Sequence, residues 1–106
     1  MNDIKLMNKA ADNIRILAAS MVEKAKSGHP GGAMGGADFV NVLFSEFLVY
    51  DPKNPAWEGR DRYFQDPGHM SPMLYSVHAL AGKFTIDELK EFRQWGSPTP
   101  GHPERD

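Results

Sequence analysis

The sequence predicts a mostly α-helical chain of about four helices with at most one short strand. Three observations carry this. Apolar residues recur every three or four positions along residues 4–26 and crowd together along 37–49. Helix-start signals stand at Ser71-Pro72 and at Thr85-Ile86-Asp87-Glu88. Only residues 62–65 offer a strand.

The first helix is expected over residues 4–26. Ile4, Met7, Ala11, Ile14, Leu17, Met21 and Ala25 share one face. Asn2 or Asp3 can cap its start, Lys24 and Lys26 suit the negative end of its dipole, and Gly28 can end it. Residues 27–36 hold five glycines and one proline, which reads as a loop, either flexible or shaped around a ligand. The second helix is expected over 37–49. Phe39, Val40, Leu43, Phe44, Phe47 and Leu48 give it an apolar surface broad enough to be buried on more than one side. Residues 50–62 are turn-rich, and Trp57 is expected to pin this connection to the core. Residues 62–65 form the candidate strand. Ser71 as cap and Pro72 at the first helical position open a third helix over 72–81, stopped by Gly82. The capping-box pattern at Thr85 and Glu88 opens a fourth, over 86–94, before a loop of Gly, Ser, Pro and Thr.

Three of the four histidines share one local setting: Gly28-His29-Pro30, Pro67-Gly68-His69 and Pro100-Gly101-His102-Pro103. Glycine permits tight turns and close approach to a ligand, and proline stiffens the same turn. Histidine exchanges protons near neutral pH, with an unperturbed pKa of about 6.5. Three such loops in a short chain point to an active site. His69 stands two residues before the expected cap of a helix, where free N–H groups and a partial positive charge attract phosphate. From the pattern alone, a phosphate contact and a histidine that only tightens a turn are both open. His29 lies in a glycine-rich stretch that matches neither the Rossmann nor the P-loop fingerprint, so it is either a ligand contact or part of a flexible connector. His102 alone would read as a solvated residue. His78 differs: it falls inside a helix with no glycine before it, and reads as structural.

Composition sets the bounds. A chain of 106 residues, 41% hydrophobic and 25% charged, holds one small domain at most. A net charge of -2 gives no reason to expect nucleic acid or an anionic membrane. The absence of cysteine excludes disulfides, thiolate metal sites and a cysteine nucleophile. No histidine pair has zinc-motif spacing, so no metal ligand is assigned. Asp87 and Glu88 read as solvated charge. The chain stops at Pro103-Glu104-Arg105-Asp106 with no closing element after the third loop, as if cut inside a larger protein.

Taken together, the chain from about Ala10 resembles the transketolases, thiamine-diphosphate enzymes that move two-carbon ketol units between sugar phosphates. The resemblance rests on Lys26-Ser27-Gly28-His29-Pro30-Gly31, Asn54-Pro55, Trp57, Arg60-Asp61-Arg62, Gly68-His69, Leu74-Tyr75-Ser76, Glu88-Leu89-Lys90, Phe92-Arg93-Gln94 and Thr99-Pro100-Gly101-His102-Pro103-Glu104. It implies an α/β thiamine-diphosphate-binding fold for the full protein, with residues 1–106 as the N-terminal fragment of the diphosphate-binding domain. It implies that His29 contacts the sugar and assists proton transfer. By the same resemblance His69, with Gly68, meets the cofactor's diphosphate, and His102 holds the hydroxyl and carbonyl end of the donor sugar. Thiamine diphosphate and Mg2+ or Ca2+ are the implied cofactors, with the metal ligands and the glutamate that activates the cofactor outside this chain. The implied partners are sugar phosphates, the remainder of the chain and a second copy in a homodimer, in the cytoplasm and in the pentose phosphate pathway. The fragment alone is expected to be inactive. Met70 and Pro72 depart from the family's usual pattern, a small residue after the second Gly-His, often glycine, and then serine. A bulky side chain there either narrows the cofactor channel or packs outward. Asp66-Pro67 replaces a more usual small polar stretch. The competing readings are a dihydroxyacetone synthase, a deoxyxylulose-phosphate synthase, and a non-catalytic helical interaction module.

Overall fold

The apolar stripe of residues 4–26 forms the longest helix of the computed structural model, which describes residues 2–104. Helix α1 spans Ile4–Ala25. The Asp3 carboxylate closes its start, accepting from the N–H groups of Lys5 at 2.7 Å and Leu6 at 3.2 Å. Lys26, rather than Gly28, ends it. Lys26 takes the left-handed conformation at φ 54, and its N–H donates to Glu23 O. Gly28 follows at φ 117, a region that favours glycine, and turns the chain back.

The glycine-rich stretch is not a loop beyond His29. It winds into α2, Pro30–Gly35, with proline in the first turn where its missing donor costs nothing. Gly36 joins it to α3, Ala37–Val42. The expected helix over 37–49 therefore keeps α geometry only to Val42, and Leu43–Phe47 follows as a wider π turn. Three glycines in α2 disfavour a helix by about 1 kcal/mol each. Side chains from elsewhere offset this. A Cβ on Gly32 would lie 2.9 Å from Met70 Cγ, and one on Gly36 would lie 2.6 Å from Met73 Sδ. Bare backbone lets two methionines seat against this segment.

Residues 62–65 pair with no neighbour, and no strand occurs among the described residues. Trp57 does not reach the core. It is 42% exposed and folds over Gly59 of its own loop. Asp61 closes that loop instead: its N–H donates to Val49 O at 2.7 Å and its carboxylate accepts from Val49 N at 2.8 Å. A 3-10 turn, Gly68–Met70, leads directly into α4, Ser71–Leu80. Ser71 is inside the helix and is not its cap. The capping box at Thr85 and Glu88 forms as expected, so Glu88 is a capping residue and not merely solvated charge. However, α5 covers only Ile86–Leu89. Beyond Lys90 the bonds tighten to a three-residue spacing, Glu91 to Glu88 and Phe92 to Leu89, and Arg93, left-handed at φ 61, then turns the chain with its N–H donating to Thr99 O.

Helix α4 is the centre of the molecule. Every residue from Ser71 to Val77 is buried, and α1, α2, α3 and α5 pack around it. One apolar cluster joins Ile14, Ala33, Val40, Phe44, Met73 and Val77, with other small residues between them. A second joins Met21, Tyr75, Leu89 and Phe92. Fully buried side chains such as Ile14 and Phe92 each contribute about 2–3 kcal/mol. The expected burial of 37–49 on several sides is not seen. Val40 and Phe44 are buried, while Phe39 is 68% and Phe47 70% exposed.

Candidate active site

Each of the three Gly-His loops is positioned by a different element. His29 is the N-cap residue of α2 and makes no capping hydrogen bond with its side chain. His69 sits in the 3-10 turn that opens α4. Their rings meet edge to face, centroids 5.0 Å apart. His102 comes from the last loop and lies over Gly68, where a Cβ would stand 3.4 Å from its Cγ. The three imidazoles that the sequence singled out thus gather around the Gly68-His69 turn, and all three are exposed.

The loop that carries His102 rests on buried donors. Ser71 Oγ donates to Gly101 O and Tyr75 Oη to Pro100 O, both at 2.6 Å. Thr99, fully buried, donates to Glu88 O at 3.2 Å. Burial, aided by the negative charge of Glu104, pushes the Tyr75 phenol up to about 12, so it remains a donor at neutral pH. A hydrogen bond of this kind contributes about 1 kcal/mol, and more is lost when a carbonyl is stranded. Sequence reasoning missed Ser71 and Tyr75 in this role. Both carry a hydroxyl on one face of a helix whose surroundings are otherwise apolar, and that was the available signal.

Arg93 was also missed. Its side chain lies between the first and third loops. A Cβ on Gly28 would be 3.6 Å from Arg93 Nη1, and one on Gly101 would be 3.4 Å from its Cζ. Its guanidinium also approaches the Phe92 ring, at 6.0 Å.

Met70 does not point away from the protein. It is half-buried against the first apolar cluster and touches Gly32 and Gly36. It also borders a cleft of about 530 Å³ lined by Phe39, Leu43, Tyr63, Phe64 and Met73, which none of the loop histidines enters.

His78 stands apart from this group. Phe44 and Phe84 face its ring edge to face, at 5.4 and 6.2 Å. Burial, with a smaller contribution from Lys83, pushes its pKa down to about 4. Among the described residues no group of three or more His, Cys, Asp or Glu side chains is placed to hold a metal ion. No described helix is long and apolar enough to cross a membrane.

Comparison with known proteins bears on the family of the whole chain. Residues 6–106 match the family model described as transketolase, thiamine diphosphate binding domain. The transketolase of Buchnera aphidicola is 53% identical over 100 residues, covering 93% of this chain and 15% of the relative. The crystal structure of transketolase from Campylobacter jejuni superposes with a TM-score of 0.89 at 46% identity, over 97% of this chain and 16% of that one. A Pichia stipitis transketolase in complex with sedoheptulose 7-phosphate superposes with a TM-score of 0.88 at 43% identity, over 92% and 14% of the two chains. This chain therefore spans only about 15% of the length of such a relative. By sequence over nearly its whole length, and by structure, the chain belongs to the transketolase family, through its thiamine diphosphate binding domain.

Proposed function

We propose that residues 1–106 form the N-terminal part of the diphosphate-binding domain of an enzyme that transfers a two-carbon ketol unit from a ketose phosphate to an aldose phosphate. The observation that supports it best is the gathering of His29, His69 and His102 around Gly68. A non-catalytic helical module has no need to bring three exposed imidazoles together on a pinned base.

The donor set fits a diphosphate. His69 offers an N–H in the turn that leads into the start of α4, where the helix dipole also favours an anion. Gly68 carries no side chain to stand between that turn and His102. His69 and Gly68 are thus assigned to the cofactor. When bound, thiamine diphosphate supplies the carbanion chemistry. Mg2+ or Ca2+ would be held by residues outside this chain. His29 and His102 are assigned to the sugar. An imidazole at an N-cap with no capping bond of its own is available to move a proton. His102 stands on a loop fixed by Ser71 and Tyr75, which suits a residue that orients hydroxyl and carbonyl oxygens. A homodimer of the completed chain, in the cytoplasm, belongs to the same proposal.

The test completes this chain with the remaining domains of the Campylobacter jejuni relative. Ketol transfer should then require thiamine diphosphate and a divalent cation. His69→Ala should weaken cofactor binding by roughly tenfold to a hundredfold, the loss of one hydrogen bond to a charged group. Residues 1–106 alone should bind the cofactor poorly in calorimetry, lacking the cation's charge. Micromolar affinity of the isolated chain, or unchanged cofactor binding in His69→Ala, would sink these assignments.

A further inference from the structure

We propose that Met70 is a positioning residue that sets the spacing between His29 and His69. The proposal rests on the reading above for its catalytic consequence, but its structural content stands apart from it. Met70 follows His69 directly, so its backbone and the His69 imidazole move as one turn. Its side chain reaches across to α2. A Cβ on Gly32 would lie 2.9 Å from Met70 Cγ and 3.2 Å from its Sδ, and one on Gly36 would lie 3.1 Å from its Cε. Gly32 and Gly36 are four residues apart and share a helical face. The thioether therefore lies along the segment that His29 opens as N-cap.

This contact joins the two rings mechanically. Gly32 is three residues beyond His29, and Met70 is one residue beyond His69. The distance between the backbones at Gly32 and Met70 therefore governs the distance between the imidazoles, whose centroids stand 5.0 Å apart. Glycine on one side and an unbranched, adaptable side chain on the other give close contact without a fixed rotamer demand. A smaller residue at 70 would leave a void beside backbone that has no side chain to fill it, and α2 would settle toward the turn. The large residue after Gly68-His69 is thus matched by the bare face of α2.

The experiment uses the completed chain. Met70→Ala is compared with Met70→Leu, which keeps the volume, and with Gly32→Ala, which favours the helix but intrudes on Met70. Crystal structures give the His29–His69 centroid separation, calorimetry gives thiamine diphosphate affinity, and thermal unfolding gives stability. Met70→Ala and Gly32→Ala should each change the separation by about 1 Å, and such a displacement should cost roughly tenfold or more in turnover. Met70→Leu should keep both near the parent. In a His29→Ala background Met70→Ala should add less than about twofold to the loss of turnover, because residues that act through one another are non-additive. An unchanged separation in both variants would overturn the proposal, as would the same loss of turnover with and without His29. Gly32→Ala keeps the test open if Met70→Ala does not fold. A completed chain with no cofactor-dependent turnover, but with a shifted ring separation, would refute the enzymatic reading and leave the positioning role standing.

Discussion

His69 and His78 stand at opposite ends of α4, and their surroundings make them different chemical groups. His69 is exposed in a turn, faces a second imidazole and sits below no apolar cover. His78 is largely buried, flanked by Phe44 and Phe84, and is held neutral at physiological pH. A helix end that opens into a glycine turn leaves an imidazole free to meet a ligand. A helix end that runs under aromatic rings turns the same side chain into core. The glycine before His69, absent before His78, is the local mark of that difference.

The largest effect that would break this contrast is on turnover. In the completed chain, His102→Ala and His29→Ala should each lower turnover by on the order of a hundredfold or more, with cofactor affinity nearly intact. At about pH 7.5 His78→Gln should stay within about twofold of the parent, since it removes no contact with the reacting groups. Equal damage at positions 78 and 29, measured by steady-state kinetics, would erase the distinction.

A second effect concerns stability against pH. The His78 pKa in the folded chain is about 4, below the ordinary value of 6.5. Between these values the unfolded chain binds a proton that the folded chain refuses. Stability is then complete above about pH 6.5, falls as pH drops, and levels off below about pH 4, for a loss of about 3 kcal/mol. His78→Gln should lack this component. Urea unfolding of both forms at about pH 7.5 and about pH 4.5 checks it, since other titrating groups cancel in the difference. A difference between the two forms that does not change with pH would place His78 in contact with water.

The smallest effect sharpens the other end of the helix. Tyr75→Phe removes the donor to Pro100 O and should cost about 1–2 kcal/mol. In the completed chain it should also raise KM for the ketose phosphate, by loosening the base of His102. A stability loss with KM unchanged would show that the loop keeps its shape without that bond.

Signals that act within one turn were legible in the sequence. The stripe of α1, the Asp3 cap and the Thr85–Glu88 capping box all rest on neighbours a few residues apart. The Gly-His loops were legible because their composition is unusual. Features that depend on distant partners were not. α2 is rich in the residue least suited to a helix after proline, and it holds because Met70 and Met73 come to it from far along the chain. The left-handed turn at Arg93 is held from Thr99, and the exposure of Phe39 and Phe47 depends on which neighbours are present to cover them. At the candidate site, the three imidazoles that gather around Gly68 were legible and their supports were not, because Ser71 and Tyr75 act on a loop 25 to 30 residues away.

That separation has a consequence for the order of assembly. The bonds from Ser71 to Gly101 and from Tyr75 to Pro100 close long stretches of chain, and the entropy of closure is lost before either bond forms. α1 and the capping box need only local contacts and can arise early. The His102 loop docks only after α5 and its turn have brought the chain back across α4. Its amides should therefore gain hydrogen-exchange protection last during folding, and its local opening should carry His102 away from Gly68 while α1 and α4 stay closed.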